Sequence, residues 1–262
     1  PWVLIGSALT LWLKEDGLSR TTIGWAGLIF GVYAINFLWA PLIDRIQIPL
    51  LTARLGHRRA WIVTLQVVIL ICLALWSIVD PVTNLQGVIA IALIIAIASA
   101  TQDITIDALR IEQVGPNESA AMAAGAAVAV VGWWTGYKLG GLAALVTAET
   151  LQHAGIINYW QSTFLILGAV VVVCNIALMA VPEARPAART QAQAEDENAL
   201  RSRLNFGGVI AGIVTWLGTT LIGPLASFFR RNGLAIAMAV LGFIFLFKIG
   251  EAFLGRMSIL FY

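Results

Sequence analysis

Four polar side chains lie at the end of a long apolar segment: Gln102, Asp103, Asp107 and Arg110, within the stretch 98–112. Positions 103, 107 and 110 share one face of an α-helix, because they are separated by four and then three residues. If this segment crosses a membrane, its charged groups are costly and should face a bundle interior or an aqueous cavity. Two interpretations stay open. Asp107 and Arg110 pair near water at the helix end, or the whole face lines the path of a solute.

Further polar groups interrupt apolar segments elsewhere in the chain. Lys138 has several apolar residues on either side, which favours a paired or cavity-facing position over a side chain that reaches water at a helix end. Tyr33 and Asn36 could line the same cavity from another helix. Lys248 and Glu251 are three residues apart, so Glu251 either joins the path or only neutralises Lys248.

The composition identifies an all-α membrane protein. Of 262 residues, 60% are hydrophobic and 11% are charged, whereas soluble domains average about 25% charged residues. The apolar runs are continuous, while strands of a membrane barrel would alternate, so helices must satisfy the backbone in lipid. Cys72 and Cys174 lie in such runs as small apolar residues. We expect no metal site and no cofactor.

The hydrophobic pattern predicts seven spans separated by polar turns. Residues 1–13 should form the end of the first span, and both ends of the chain lie in apolar stretches, so further chain is expected on either side. The next five spans are predicted at about 22–43, 60–79, 86–109, 119–147 and 160–181. The predicted organisation is therefore an N-terminal bundle over 1–181, a cytoplasmic linker over 182–231, and the start of a second bundle over 232–262.

The apolar segment 206–229 allows two interpretations. Arginines flank it on both sides, so a crossing helix would leave one basic flank outside. Trp216 and the pair Phe228 and Phe229 suit the headgroup boundary. We therefore favour an amphipathic helix that lies in the membrane interface over a true span.

Basic residues are distributed unevenly between the loops. With an interfacial helix at 206–229, the loops 43–59, 110–118 and 182–231 fall on one side and carry eleven arginines. The opposite side holds Lys14 and Arg20. This is a strong positive-inside pattern and places the arginine-rich loops in the cytoplasm.

Three glycines recur in the predicted fifth span. Gly132, Gly136 and Gly140 are four residues apart and share one helix face. Such small-residue faces allow helices to approach closely. We expect this face to pack against another helix, either statically or as a sliding contact.

The loop between spans two and three carries Asp44 and Arg45, followed by Gly56-His57-Arg58-Arg59. This pattern resembles the Asp-Arg and Gly-x-Arg-Arg loop of the major facilitator superfamily. Its members pair two six-helix halves around a central substrate site. The resemblance implies an N-terminal six-helix bundle plus the start of a second bundle.

A narrower resemblance rests on four motifs that follow one another along the chain. They are similar to signatures of the AmpG-type muropeptide permeases and cover 37–45 (FLWAPLIDR), 98–108 (ASATQDITIDA), 136–140 (GYKLG) and 248–253 (KIGEAF). Asn36 stands where members often carry Lys, and Lys138 replaces Arg. The related acetyl-CoA transporter branch shares some of these features.

The resemblance implies a proton symporter of the bacterial inner membrane. It would import N-acetylglucosaminyl-anhydro-N-acetylmuramyl peptides for cell-wall recycling and for signalling to β-lactamase regulators. Gln102 could hydrogen-bond sugar or amide groups, and Lys138 and Lys248 could meet carboxylates. Asp103, or Asp107 with Arg110, could load and release a proton. The expected partners are the muropeptide, protons and the lipid bilayer, with no nucleic acid, and such permeases commonly act as monomers.

The same residues allow other interpretations. Trp133 and Trp134 could stack on sugar rings, although aromatic residues of membrane helices more often pack or anchor. Asp103 and Asp107 could belong to a membrane enzyme. However, no His and Cys set, Gly-Lys-Ser/Thr loop or Gly-x-Ser-x-Gly motif accompanies them, so we expect no enzyme. The leading alternative is a permease of the same superfamily for another solute, such as an acetyl-CoA-like donor or an oligosaccharide.

Overall fold

The computed structural model describes residues 1–114, 118–182 and 223–243, together with residues 218 and 246. The chain divides into two compact units, Pro1–Ala187 and Ala188–Tyr262. The described residues of both units are helical or lie in turns, and they include no β-strand. The all-α prediction is therefore confirmed for the described part of the chain.

The described residues of the first unit form nine α-helices. A π-helical turn, Leu4–Ala8, leads into α1, and two 3₁₀ turns, Gly27–Phe30 and Asn36–Leu38, lie on either side of α3. The α-helices are α1 (Leu9–Glu15), α2 (Arg20–Ala26), α3 (Gly31–Ile35), α4 (Ala40–Arg45), α5 (Leu51–Leu55), α6 (His57–Trp76), α7 (Leu85–Glu112), α8 (Ser119–His153) and α9 (Tyr159–Leu178).

Five helical stretches among the described residues are long and apolar enough to cross a membrane. They are Arg20–Leu38, His57–Trp76, Leu85–Glu112, Ser119–His153 and Tyr159–Leu178. They correspond in order to the predicted second to sixth spans. Continuous apolar runs of this length can cross the hydrocarbon core of a bilayer while satisfying their own backbone.

The helix boundaries differ from the predicted ones where local chemistry intervenes. The second span was predicted to continue to residue 43, but Trp39 has φ −106° and ψ 0°, and helix α4 begins after it with Pro41 in its first turn. Proline lacks the N–H that a continuing helix would use, which favours a new start at this point. Side-chain caps mark two other starts: Ser19 accepts from the Thr22 N–H, and Asn84 accepts from the Gly87 N–H.

A covered aromatic cluster forms the centre of the first unit. We call Trp12, Trp76, Trp160 and Phe164 the closed cluster, and each is at most 2% exposed. The Phe164 ring centroid lies 5.2 Å from that of Trp12 and 4.8 Å from that of Trp76. Rings at such distances add to the free energy gained from burial alone. The closed cluster therefore joins α1, α6 and α9.

Two indole N–H groups of the closed cluster have partners. Trp76 Nε1 donates to the Val88 carbonyl oxygen over 3.2 Å, which also fixes the antiparallel packing of α6 on α7. Trp160 Nε1 and the Tyr159 hydroxyl both donate to Glu15 Oε2 over 2.6 Å. Glu15 thus connects the end of α1 with the start of α9.

The second unit holds two described helices, α10 (Gly223–Asn232) and α11 (Leu234–Phe243). Gly233 separates them with φ +74°, a conformation that glycine adopts without steric cost. Most of the predicted interfacial helix 206–229 lies outside the described residues, so that prediction stays open. The start of α11 falls close to the predicted start of the last span near residue 232.

Candidate functional site

One face of α7 carries the charged residues Asp103, Asp107 and Arg110. Asp103 and Asp107 are exposed, and Arg110 is partly exposed. Arg110 Nη2 donates to Asp107 Oδ1 over 2.9 Å, so the predicted pair near the helix end forms. Asp103 forms no ion pair with any described side chain. The exposed carboxyl group of Asp103 therefore lacks a counter-ion among the described side chains.

Gln102 lies on a different side of α7 from Asp103. Its side chain is 6% exposed, and its Oε1 atom has no hydrogen-bond partner among the described residues. Adjacent residues of a helix point about 100° apart, which explains why Gln102 is covered while Asp103 is open. The structure does not bring Gln102 to the open face, and its contact with substrate stays a prediction.

The predicted second span contacts α7 close to Asp103. Asn36 Nδ2 donates to the Ala100 carbonyl oxygen over 3.3 Å, and Trp39 Nε1 donates to Thr101 Oγ1 over 3.0 Å. The Tyr33 hydroxyl lies beside the Ser99 side chain in geometry that falls short of a hydrogen bond. Tyr33 and Asn36 thus lie at the level of Asp103, and a cavity that these residues line together stays a prediction.

An accessible group of aromatic rings joins the first span, the second span and α8. We call this group the open cluster: Trp2, Phe30, Tyr33, Trp133, Trp134 and Tyr137. The Trp2 ring centroid lies 5.0 Å from that of Phe30 and 5.3 Å from that of Tyr137. Trp133 and Tyr137 stack with their planes 15° apart and their centroids 5.7 Å apart.

Lys138 stands at the border of the open cluster. Its side chain is exposed, and its Nζ atom lies 5.7 Å from the centroid of the Tyr137 ring. An ammonium group at this distance from an aromatic ring is weakly attracted to it, which leaves the cation able to contact a ligand. Lys138 forms no ion pair with any described residue.

The glycine face of α8 is covered at one end only, as far as the described residues show. A Cβ atom at Gly140 would lie 3.7 Å from Val3 Cγ2, which is ordinary van der Waals contact. At Gly132 and Gly136 no described atom would lie within 4 Å. Close packing of these two glycines against another helix stays a prediction.

The loop motif between the second and third spans forms an ionic cluster at one end of the bundle. Arg58 is 2% exposed. Its Nη1 atom lies 2.6 Å from Asp44 Oδ1, while its Nε and Nη2 atoms donate to Glu112 Oε1 over 3.0 and 2.8 Å. Charge-assisted hydrogen bonds of this kind are stronger than neutral ones. Arg58 therefore holds α4, α6 and α7 together.

The neighbouring arginines extend this connection. Arg59 Nε donates to the Leu55 carbonyl oxygen over 2.7 Å, and Arg59 Nη1 donates to the Met179 carbonyl oxygen over 3.3 Å. Arg45 is the last residue of α4. Sequence reasoning identified the arginines and Asp44 but missed Glu112, the partner that lies at the end of α7. Lys248 and Glu251 lie outside the described residues.

The comparisons with known proteins agree on one family. Residues 1–261 match the Major Facilitator Superfamily. The chain is 30% identical, over its whole length and 56% of the relative, to "Putative transporter AmpG 4" of Rickettsia conorii. It is also 30% identical, over 97% of this chain and 44% of the relative, to the anhydromuropeptide permease of Escherichia coli K12. The chain thus spans about half the length of these relatives.

Proposed function

Because the chain belongs to the major facilitator superfamily, we propose that it takes part in the proton-coupled import of anhydro-muropeptides across the bacterial inner membrane. The family assignment makes the chain a membrane transporter and not an enzyme. The resemblance to AmpG-type permeases, first drawn from four motifs, is confirmed by the comparisons. The coupled proton and the muropeptide substrate are both proposed from Asp103 and the side chains around it.

The observation that carries the proposal is the position of Asp103. The midpoint of α7 lies between residues 98 and 99, so Asp103 is about 7 Å from it along the helix axis at 1.5 Å per residue. This places the carboxyl group within the thickness of the hydrocarbon core if α7 crosses the membrane. A carboxylate at that depth without a counter-cation is costly, and a proton taken up from a wet cavity neutralises it. Asp103 is therefore our candidate for the proton carrier.

The groups around Asp103 support a sugar-peptide substrate over a donor rich in phosphates. Tyr33 and Asn36 offer neutral polar groups at the same level. In the described surroundings of Asp103 and the open cluster, the cationic side chains are Lys138 and Arg110, and Arg110 is already paired with Asp107. One available cation suits a carboxylate of a muropeptide better than the several phosphates of an acetyl-CoA-like molecule. Lys138 is thus our candidate for the carboxylate contact.

Uptake measurements test the proposal directly. Labelled anhydro-muropeptide is supplied to bacteria that lack their own permease and express this protein, with and without a protonophore. We expect uptake that the protonophore stops. Absence of uptake, with the protein present in the membrane, would redirect the function to a different solute of the same superfamily.

Substitution of Asp103 tests the proton carrier separately. Asp103→Asn should abolish protonophore-sensitive uptake, because the amide cannot take up the proton, while the amount of protein in the membrane stays at the wild-type level. Asp107→Asn is the matched control on the same helix face, and we expect it to keep most of the uptake. Normal uptake by Asp103→Asn would remove Asp103 from the mechanism.

A further inference from the structure

The open cluster is built by residues that are far apart in the chain. Trp2 contributes one ring, the second span contributes Phe30 and Tyr33, and α8 contributes three rings. Trp2 connects the two helical segments, because its ring centroid lies 5.0 Å from that of Phe30, 6.0 Å from that of Trp133 and 5.3 Å from that of Tyr137. Because the open cluster is assembled from three segments, its rings are held in place more firmly than two exposed rings on a single helix would be.

The two tryptophans of α8 keep much of their surface accessible within the open cluster. Trp133 is 44% exposed and Trp134 is 52% exposed. None of the indole N–H groups of Trp2, Trp133 and Trp134 donates to a described residue. The open cluster therefore offers aromatic faces together with three N–H donors that are not hydrogen-bonded to any described acceptor.

Lipid chains fit this surface poorly. Trp133 is 14 residues from the first residue of α8 and 20 from the last, so it lies about 20 Å or more from either end. Tryptophans that anchor membrane proteins lie at the headgroup boundary, where the N–H group meets water or polar headgroups. The indole N–H groups of the open cluster lie near the middle of α8, where surrounding hydrocarbon would offer them no hydrogen-bond acceptors. Other large apolar side chains that α8 exposes are aliphatic, including Val128, Leu139, Leu142 and Val146.

The polar groups beside the open cluster favour a sugar that is attached to a carboxylate-bearing group such as a peptide. Asp103 lies three residues after Ala100, whose carbonyl oxygen accepts from Asn36 Nδ2 over 3.3 Å, so the Asp103 carboxyl group lies at the level of the second span that carries Phe30 and Tyr33. Lys138 supplies a cation whose Nζ atom lies 5.7 Å from the centroid of the Tyr137 ring. Aromatic faces with a small number of convergent polar groups are typical of small-molecule sites. A pyranose presents C–H groups on its faces for the rings and hydroxyl or acetamide oxygens at its edges for the N–H donors.

We propose that the open cluster is a carbohydrate subsite, in which the accessible face of Trp134 stacks on a pyranose ring of the muropeptide and Trp133, whose ring plane is 87° from that of Trp134, borders the same sugar. This inference rests on the proposed function and adds the part of the substrate that these residues recognise. The sugar contributes affinity through the open cluster, and a carboxylate of the attached peptide is held at Lys138.

Competition by the free disaccharide tests the subsite. Peptide-free N-acetylglucosaminyl-anhydro-N-acetylmuramic acid is added during uptake of labelled muropeptide, and the concentration that halves the uptake is measured. Trp134→Ala should raise this concentration about tenfold or more, comparable to the loss of one stacked ring in other aromatic sites. Trp134→Phe should stay within about threefold of wild type, because it keeps an aromatic face. Trp25→Ala is the matched control, since Trp25 is 69% exposed on α2 outside the cluster.

A measurement on the unmodified protein covers the case in which an alanine variant fails to fold. The purified protein is treated with N-bromosuccinimide, and oxidation of each tryptophan is followed by mass spectrometry. The disaccharide should protect Trp133 and Trp134 while oxidation of Trp25 continues. If Trp133 and Trp134 resist oxidation in the absence of the sugar, they are covered by protein or detergent, and this result would overturn the subsite.

The outcomes separate the two proposals. If the wild-type protein takes up no muropeptide, the proposed function fails. If the wild-type protein takes up muropeptide, and the disaccharide halves the uptake by Trp134→Ala at the same concentration as for wild type, the function stands and the subsite is wrong.

Discussion

The closed and open clusters use the same residue types for different ends. In the closed cluster Trp12, Trp76, Trp160 and Phe164 are at most 2% exposed, and the N–H groups of Trp76 and Trp160 have acceptors. In the open cluster the two tryptophans of α8 are about half exposed, and their N–H groups have no described acceptor. Aromatic content alone therefore does not distinguish a packing core from a binding surface. Exposure and the partners of the polar ring atoms distinguish them.

The largest expected difference between the two clusters is in stability. Phe164→Ala should lower the free energy of unfolding by about 3–5 kcal/mol, because it removes a fully covered ring and leaves a cavity. Trp134→Ala should change it by less than about 1 kcal/mol, as is usual for exposed positions. Thermal unfolding of the detergent-purified proteins measures both. Equal losses would mean that both clusters are structural.

The same contrast between covered and open positions applies to the arginines. Arg58→Ala should destabilise the bundle by about 1.5–3 kcal/mol, because Glu112 loses charge-assisted hydrogen bonds and Asp44 loses its ion pair with a covered side chain. Arg110→Ala breaks a pair in which Asp107 is 62% exposed, and such pairs are worth about 0–1 kcal/mol. The comparison is made by thermal unfolding at low and high salt. A greater loss for Arg110→Ala would show that the open face supports the fold.

The glycine face offers a finer comparison within one helix. Gly140→Leu should cost about 1–3 kcal/mol, because its Cβ position already touches Val3 and a larger side chain must displace it. Gly136→Leu should leave the stability of the described bundle close to wild type. Membrane levels and thermal unfolding of both variants test this order. Destabilisation by Gly136→Leu alone would reveal a partner helix outside the described residues.

The smallest effect is expected at Asp16, beside Trp12 of the closed cluster. Burial first, and then the neighbouring charge of Asp80, raise the pKa of the Asp16 carboxyl above its ordinary value of 3.8, although a hydrogen bond from Trp12 opposes the shift. The folded protein therefore binds this proton more tightly than the unfolded chain does. Its contribution favours folding at acidic pH and is lost as the pH rises through the window above 3.8.

Asp16→Asn removes this titration. We expect the variant to unfold at a slightly higher temperature than wild type at pH 7, with the difference shrinking as the pH falls toward 4. Asp80→Asn should produce part of the same gain, because it removes the neighbouring negative charge. A constant difference at every pH would show that the Asp16 carboxyl does not titrate in this way.

The spans and the polar face of α7 could be predicted from local sequence. Continuous apolar runs locate the membrane-length helices, and helical periodicity places Asp103, Asp107 and Arg110 on one face. The position of Gln102 shows where this reasoning ends. Periodicity identifies the residues that share a face, but the neighbouring helices determine which face is covered.

Long-range contacts could not be predicted from the sequence. Arg58 finds Glu112 across 54 positions, and the pairing of α6 with α7 that creates this contact depends on packing along both helices. The open cluster likewise needs Trp2 beside Tyr137, although the repeat of aromatic rings at positions 133 and 137 is a local signal of one aromatic face. Local patterns supplied the parts of the candidate site, and tertiary packing brought them together.

The contact of Glu15 with Tyr159 and Trp160 sets a limit on the order in which the bundle is made. These residues are 144 and 145 positions apart, so α1 must wait for α9 before Glu15 receives its two hydrogen bonds. At roughly 5–20 residues per second of synthesis, the wait is on the order of ten seconds. During that time the nascent first helix ends in a carboxylate whose final partners the ribosome has yet to produce.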